Sequence, residues 1–177
     1  MEKLHLGCGS IYKEGWINVD LDAPNADVQH DLTTPLPVGS GTIQFIYTEH
    51  FIEHISRQQA VDFLKECRRV LKENGVLRVS TPDLQFLVKC YQLGNISEWG
   101  QPWAPDSPCN LMNEGMRSWG HKYLYDISEL NRVFLEAGFQ IPHRVAWGIS
   151  SHSELTGIDT RPYHEDLIVE VSKNAPT

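Results

Sequence analysis

No CxxC pair occurs in this chain; its four cysteines, Cys8, Cys67, Cys90 and Cys109, lie far apart. That scatter makes neither a thiolate zinc site nor a disulfide framework, and it fits free thiols in a reducing compartment. No apolar run approaches the roughly 18 residues of a membrane helix, and nothing ahead of the first apolar stretch reads as a signal peptide. A cytoplasmic protein with no membrane partner is expected. Positive charge is also scarce, with Lys+Arg 15 against Asp+Glu 23 giving −8. The densest basic pair, Arg68-Arg69, falls on an expected helix, so nucleic acid is not the expected partner. Repeats, low-complexity tracts and linkers are missing too. Residues 1–177 therefore read as one domain, and a hydrophobic fraction of 41% supplies an ordinary globular core.

What the chain does have begins at Lys3–Ser10, KLHLGCGS. A short apolar strand breaks into Gly7-Cys8-Gly9-Ser10. Glycines there let a nucleotide-like ligand lie against backbone N–H groups. The dinucleotide fingerprint G-x-G-x-x-G fails, because its third glycine falls on Tyr12. Ile17–Leu21 is a second strand. Asp20 at its end is placed either to accept from both hydroxyls of a ribose or to start the turn that follows. A parallel pair needs a crossover of about a dozen residues, usually a helix. Little room separates Gly9 from Ile17, so the first crossover must be a single turn or an irregular loop.

Asp27–Leu32 reads as a brief third strand and Thr42–Thr48 as a fourth. The fourth delivers Glu49-His50-Phe51-Ile52-Glu53-His54. On a helix, H-x-x-E-H would set both imidazoles on one face for zinc. The capping box Ser56-Arg57-Gln58-Gln59 starts a helix only afterwards, and no further ligand is apparent. No metal is therefore expected. Ser56–Asn74 is the clearest helix, with Ala60, Leu64, Cys67 and Leu71 at helical spacing and Gly75 as its stop. Val76–Thr81 is a fifth strand and Leu84–Leu93 a second helix.

Asn95–Lys122 shows little periodicity and carries Trp99, Trp103 and Trp119. Long loops inside compact domains are usually functional, so residues 95–125 are expected to form a substrate lid. Asp126-Ile127-Ser128-Glu129 is a second capping box, opening a helix that Gly138 ends. Phe139–Trp147 and Asp166–Ser172 look like the last strands. A polar loop with His152, Asp159, Arg161 and His164 joins them. Alternating strands and helices imply a layered α/β sheet.

Taken together, these motifs resemble those of a class I S-adenosylmethionine-dependent methyltransferase of the small, type 11-like kind often found with saccharide biosynthesis. LHLGCGS is similar to the family's first motif, INVDLD to its second, and FIYTEHFIEHI to its fourth strand and following loop. RRVLKENGVLRVSTPD and LYDISELNRVFLEAGF resemble later units. The resemblance implies a Rossmann-like three-layer sandwich with a mostly parallel seven-stranded sheet and a shortened first crossover. It implies S-adenosyl-L-methionine as cofactor, held by Gly7, Cys8, Gly9, Asp20, Leu21, Asp31, Leu32 and Glu49. Asp20 would take the ribose hydroxyls and Asp31 the adenine amine. The family usually has an acid where this chain has His5, and often a glycine where it has Ile11.

The activity so implied is methyl transfer to a small-molecule or saccharide acceptor, at a hydroxyl. A hydroxyl needs a base, and the candidates are His121 and His50, with His54 behind them. Tyr47 or the tryptophans would face the sulfonium through cation–π attraction, worth about 1 kcal/mol. The competing readings are an inactive cofactor-binding or partner-binding module of the same fold, which His5 and Ile11 favour, and a zinc hydrolase.

Overall fold

The structure, a computed structural model, describes residues 2–96, 105–161 and 166–174. Seven strands build one sheet: β1 (Lys3–Leu6), β2 (Ile17–Asp20), β3 (Val28–Gln29), β4 (Ile43–Glu49), β5 (Leu71–Pro82), β6 (His143–Arg144) and β7 (Asp166–Ser172). Their order is β3-β2-β1-β4-β5-β7-β6. The first five are parallel, and β7 runs antiparallel to both β5 and β6. The chain departs from β1 first to one side and later to the other. Such a reversal opens a crevice beyond the carboxyl ends of the strands.

Period-two alternation sorts the strand side chains onto two faces. Leu4, Leu6, Ile46, Leu77, Val79, Leu167 and Val169 face α1 (Arg57–Val70) and α4 (Ile127–Glu136) in the main core. Trp16, Tyr47, Val76, Leu155 and Ile158 form a second core on the opposite face, which loops cover in place of helices. Tyr47 is wholly buried there with Lys13 Nζ 4.9 Å over its ring, so it does not face a ligand as expected. The four cysteines are free thiols. No helix among the described residues is long and apolar enough to cross a membrane.

The first crossover is an irregular loop, as its length requires, and Asn18 holds it in shape. The Asn18 side chain is fully buried. Its Oδ1 accepts from the Lys13 N–H at 2.9 Å and faces His5 Nδ1 at 3.0 Å. Its Nδ2 donates to the carbonyls of Lys13 and Trp16 and to Asp27 Oδ2. One amide thus satisfies backbone groups that a crossover helix would have paired internally.

Several elements differ from expectation, each for a local reason. The helix expected to reach Asn74 ends at Val70, because Leu71 already pairs with Ile43 in the sheet. Gly75 sits where a Cβ would meet the Ile43 carbonyl at 2.9 Å, so it serves close strand contact and not a helix stop. The third strand shrinks to Val28–Gln29, since Asp31 turns the chain by accepting from the Thr33 N–H. The strand expected over Phe139–Trp147 is only His143–Arg144, because Phe139 folds back onto Phe134 and Pro142 has no N–H to give.

The stretch expected to be irregular contains α3 (Pro108–Arg117), capped by Ser107 with Pro108 in its first turn. α3 packs on α2 (Leu84–Leu93) through Leu111 and Leu87. A Cβ on Gly115 would stand 2.9 Å from Leu87 Cδ2, so glycine there lets the helices approach. Trp99, Trp103 and His164 lie outside the described residues.

Replacing Asn18 by Ala removes one acceptor and two donors from a buried site and strands their partners. Each stranded group costs about 1–3 kcal/mol. Urea unfolding of Asn18→Ala should show a loss of about 3 kcal/mol; a loss under about 1 kcal/mol would mean the crossover is held by something else.

Candidate functional site

A cleft opens beyond the carboxyl ends of β1, β2 and β4. It holds about 640 Å³ of empty space counted to its open mouth, room for a nucleoside-sized ligand. His5, the turn from Gly7 to Ile11, Asp20, Glu49, His50, Phe51, His54 and Arg161 line it. Gly7 and Gly9 both take left-handed backbone angles, φ +70° and +51°. A Cβ on Gly7 would meet Phe51 Cβ at 2.9 Å, whereas one on Gly9 would meet nothing within 4 Å. Gly7 therefore lets the turn seat on Phe51, and Gly9 keeps space open beside the cleft. The Gly7 and Cys8 N–H groups donate to the Val19 carbonyl, which fixes the turn to β2. The Gly9 N–H donates to Asp20 Oδ2 at 2.8 Å.

His5 stands where an acid was expected. Asn18 Oδ1 only accepts, so His5 Nδ1 carries the proton that meets it. Burial lowers the imidazole to about 4, so it is neutral at ordinary pH. Its work on this side of the molecule is to pin the crossover. At the end of β4, Glu49 is clamped by Thr160: Oε1 accepts from the Thr160 N–H at 2.9 Å, and Oε2 from its hydroxyl. That clamp brings the loop before β7 over the cleft, with Arg161 at the rim.

The two histidines of H-x-x-E-H go separate ways, since they lie on a strand end and a single 3-10 turn, Ile52–His54. His50 takes φ +52°, strained for a residue with a Cβ. Its Nε2 lies 2.8 Å from Asp166 Oδ2 and its Nδ1 3.2 Å from Glu53 Oε1. Burial works against the charged ring, but the two carboxylates outweigh it and raise His50 to about 9. Burial likewise opposes the charge on Glu53, and His50 still holds that carboxyl below its ordinary range. His50 is thus an imidazolium at neutral pH, with no lone pair to take a proton.

His54 behaves in the opposite way. Burial lowers it, with the charges of His121, His50 and Arg161 adding and that of Glu53 opposing. It is neutral and forms part of the cleft wall. The Glu53 carbonyl accepts from the Lys122 and Tyr123 N–H groups, and this draws His121 in, its ring edge-on to His54 at 4.9 Å. His121 Nδ1 lies 2.7 Å from the Gly115 carbonyl. A carbonyl only accepts, so Nδ1 bears a proton and Nε2 is the nitrogen turned away from that bond. Glu53, His54 and His121 each bring a ligand-capable atom within 4.8 Å of the others. His121 is the third group that the sequence spacing did not reveal, and it joins His54 while His50 stays with Asp166.

The cleft therefore gathers Gly7, Cys8, Gly9, Asp20, Glu49 and His50 from the expected set. Leu21, Asp31, Leu32 and His121 stand outside its lining. Leu21 is 63% exposed beside Asp20, and Leu32 is buried in the main core. Asp31 follows His30, whose N–H donates to the Asp20 carbonyl, so it stands at the neighbouring strand end. Both its bonds from Thr33 fall on Oδ1, leaving Oδ2 available. Sequence reasoning missed Phe51 and the placement of Arg161. Only the place of Phe51 inside the H-x-x-E-H run could have signalled the first.

The His50 geometry fixes a pH dependence. An unfolded imidazole titrates near 6.5. Because the folded value is raised to about 9, the stabilisation is complete below about pH 6.5 and is lost as pH rises through 9. At its limit it amounts to about 3 kcal/mol. His50→Asn, which tolerates a positive φ, should flatten the fall in urea stability between pH 6.5 and 9. Equal falls in the two proteins would mean His50 does not hold that proton.

With this geometry in hand, similarity to known proteins is informative. A family described as "Methyltransferase domain" matches over residues 9–143. A Mycolicibacterium smegmatis protein described as a probable S-adenosylmethionine-dependent methyltransferase is 35% identical over 60 residues. The match covers 34% of this chain and 23% of that protein, so this chain spans about a quarter of that relative's length. Among solved structures, a possible histamine N-methyltransferase from Thermotoga maritima aligns with TM-score 0.62 and 19% identity, over 98% of this chain and 82% of that one. An Archaeoglobus fulgidus SAM-dependent methyltransferase aligns with TM-score 0.60 and 14% identity, over 96% of this chain and 85% of that one. These two likenesses show the fold, a Rossmann-like three-layer α/β sandwich whose third layer is made here largely by loops. The match over residues 9–143, on a cleft built from a glycine turn and a strand-end acid, places the chain in the methyltransferase domain family.

Proposed function

We propose that the protein transfers a methyl group from S-adenosyl-L-methionine to a hydroxyl of a small-molecule or saccharide acceptor. The observation that carries this reading is the cleft itself, in which a glycine turn, Asp20 and Glu49 converge at the topological reversal. The donor set fits the cofactor. Asp20 retains lone pairs for the ribose hydroxyls, and Asp31 Oδ2 is available to the adenine amine. Leu21 offers an exposed apolar side chain beside them, Leu32 a backbone N–H, and the space at Gly9 admits the nucleoside. The cofactor supplies an activated methyl on a cationic sulfur. The chain needs only to orient the acceptor and accept its proton.

The proton goes to the His54–His121 pair. His54 meets the cleft, and His121, its Nδ1 turned to the Gly115 carbonyl, stands behind it as the final acceptor through Nε2. His50 acts as a fixed cation that locks the β4 loop. Trp119, 57% exposed and 5.6 Å from His121, gives an acceptor ring a face to stack on, which favours a sugar. It lies in residues 105–125, the described part of the segment expected as a lid, and we assign this part to the acceptor side of the cleft.

Calorimetry with S-adenosylhomocysteine tests the first half. Wild type should bind, and Asp20→Ala should weaken binding at least about tenfold, for loss of charge-assisted hydrogen bonds. Asp20→Asn, which can still accept from the Gly9 N–H, controls for damage to the turn. Undiminished binding in both variants would remove Asp20 from the cofactor site. For the second half, His121→Ala should lower turnover by about 10²–10⁴-fold, and chelation should leave the wild type unchanged. Activity lost to chelator and restored by a divalent cation would instead make Glu53, His54 and His121 metal ligands.

A further inference from the structure

Arg161 is the charge in this cleft that the proposed chemistry has not used. It is exposed at the rim, and among the described residues no carboxylate lies within ion-pair reach of it. Several arginines of the sheet and its flanking helices are committed: Arg57 to Glu129 and Glu136, Arg69 to Glu66, Arg78 to Asp159 and Glu170, Arg144 to Asp83; Arg161 is the guanidinium in the cleft lining. In a chain of net charge −8, an unpaired guanidinium facing a cleft is conspicuous. The other cation lining the cleft, His50, is already neutralised by two carboxylates.

Its position is built, not incidental. Asp159 is locked by the buried Arg78 guanidinium and by the Gly148 N–H. Thr160, next in the chain, clamps Glu49 through its N–H and its hydroxyl. Arg161 follows at once. The clamp therefore sets a carboxylate, Glu49, and a guanidinium, Arg161, on one rim without letting them neutralise each other. An α-amino acid presents the complementary pair, an ammonium and a carboxylate on one carbon. The methionyl end of the proposed cofactor has that form.

We propose that Arg161 binds the methionyl carboxylate of the cofactor, with Glu49 taking the ammonium beside it. Arginine suits this task because its planar fork matches a carboxylate in a bidentate way. The assignment also gives the chain a methionyl-end contact where His5 has replaced the expected acid. It rests on the methyltransferase reading above, and its test separates the two.

The experiment compares two ligands by calorimetry, S-adenosylhomocysteine and 5′-methylthioadenosine. They share the nucleoside and the sulfur, but only the first carries the amino-acid end. In Arg161→Ala the affinity for S-adenosylhomocysteine should fall at least about tenfold, the size of a charged hydrogen bond, while that for 5′-methylthioadenosine stays within twofold. Arg161→Lys should recover part of the loss, since it restores the charge without the fork. If both ligands lose equally, Arg161 shapes the cleft and does not read the carboxylate. If neither changes, it faces the acceptor, and the proposal is overturned while the methyltransferase reading stands. If wild type binds neither ligand, both fall together.

Discussion

One buried guanidinium decides where the second face of the sheet ends and the cleft begins. Arg78 sits mid-strand on β5, fully buried, directly across from Glu170 on β7. It binds Glu170 at 2.5 Å, Asp159 through both its Nε and an amino nitrogen, and the carbonyls of Ile149 and Ala146. Burying a charge is costly unless its donors find acceptors, and here each guanidinium nitrogen does. The result is a loop of residues 146–159 fastened over a sheet face that has no helix to cover it. Removing one partner would strand the others, so the network acts as a unit and its geometry is all-or-none.

From that anchor the cleft follows by short steps. Asp159 fixed means Thr160 fixed, and Thr160 fixed means Glu49 is held in place at the end of β4, with one bond to each oxygen and acceptor capacity left over. On the other side, Asn18 does the same for the first crossover, tying Lys13, Trp16, His5 and Asp27 through one side chain. The two hubs share a logic. Where the chain is too short for a helix, a buried polar group satisfies the loop backbone in its place. A small α/β domain thereby holds a rigid cleft with loops alone on one face.

This logic also explains what could and could not be read from the sequence. β1, β2, β4 and the bodies of α1, α2 and α4 were legible because caps and apolar periods are local signals. Asp20 was legible because a strand end followed by a turn is local too. α3 was not, although Ser107-Pro108 is a proper helix start, since its inward face uses Gly115, which apolar counting ignores. His50 and His54 could not be told apart. Their difference comes from Asp166, 116 residues further on, and from the carbonyl contacts that draw His121 in. Arg161 carried no signal, because its placement depends on Arg78, and a lone arginine within a β-branched strand shows nothing of its partners.

The charge arrangement around the cleft then has a single physical sense. Glu53 and Asp166 hold His50 protonated, while burial chiefly keeps His54 from protonating, with the charges of His121, His50 and Arg161 adding to it. A neutral imidazole beside a cationic one is the arrangement a proton acceptor needs, because the proton must have somewhere to go at ordinary pH. His50 is taken up by Glu53 and Asp166, so Arg161 is the cation that stands against Asp20 and Glu49 in the lining and makes the cleft one of mixed charge and not a uniformly acidic one.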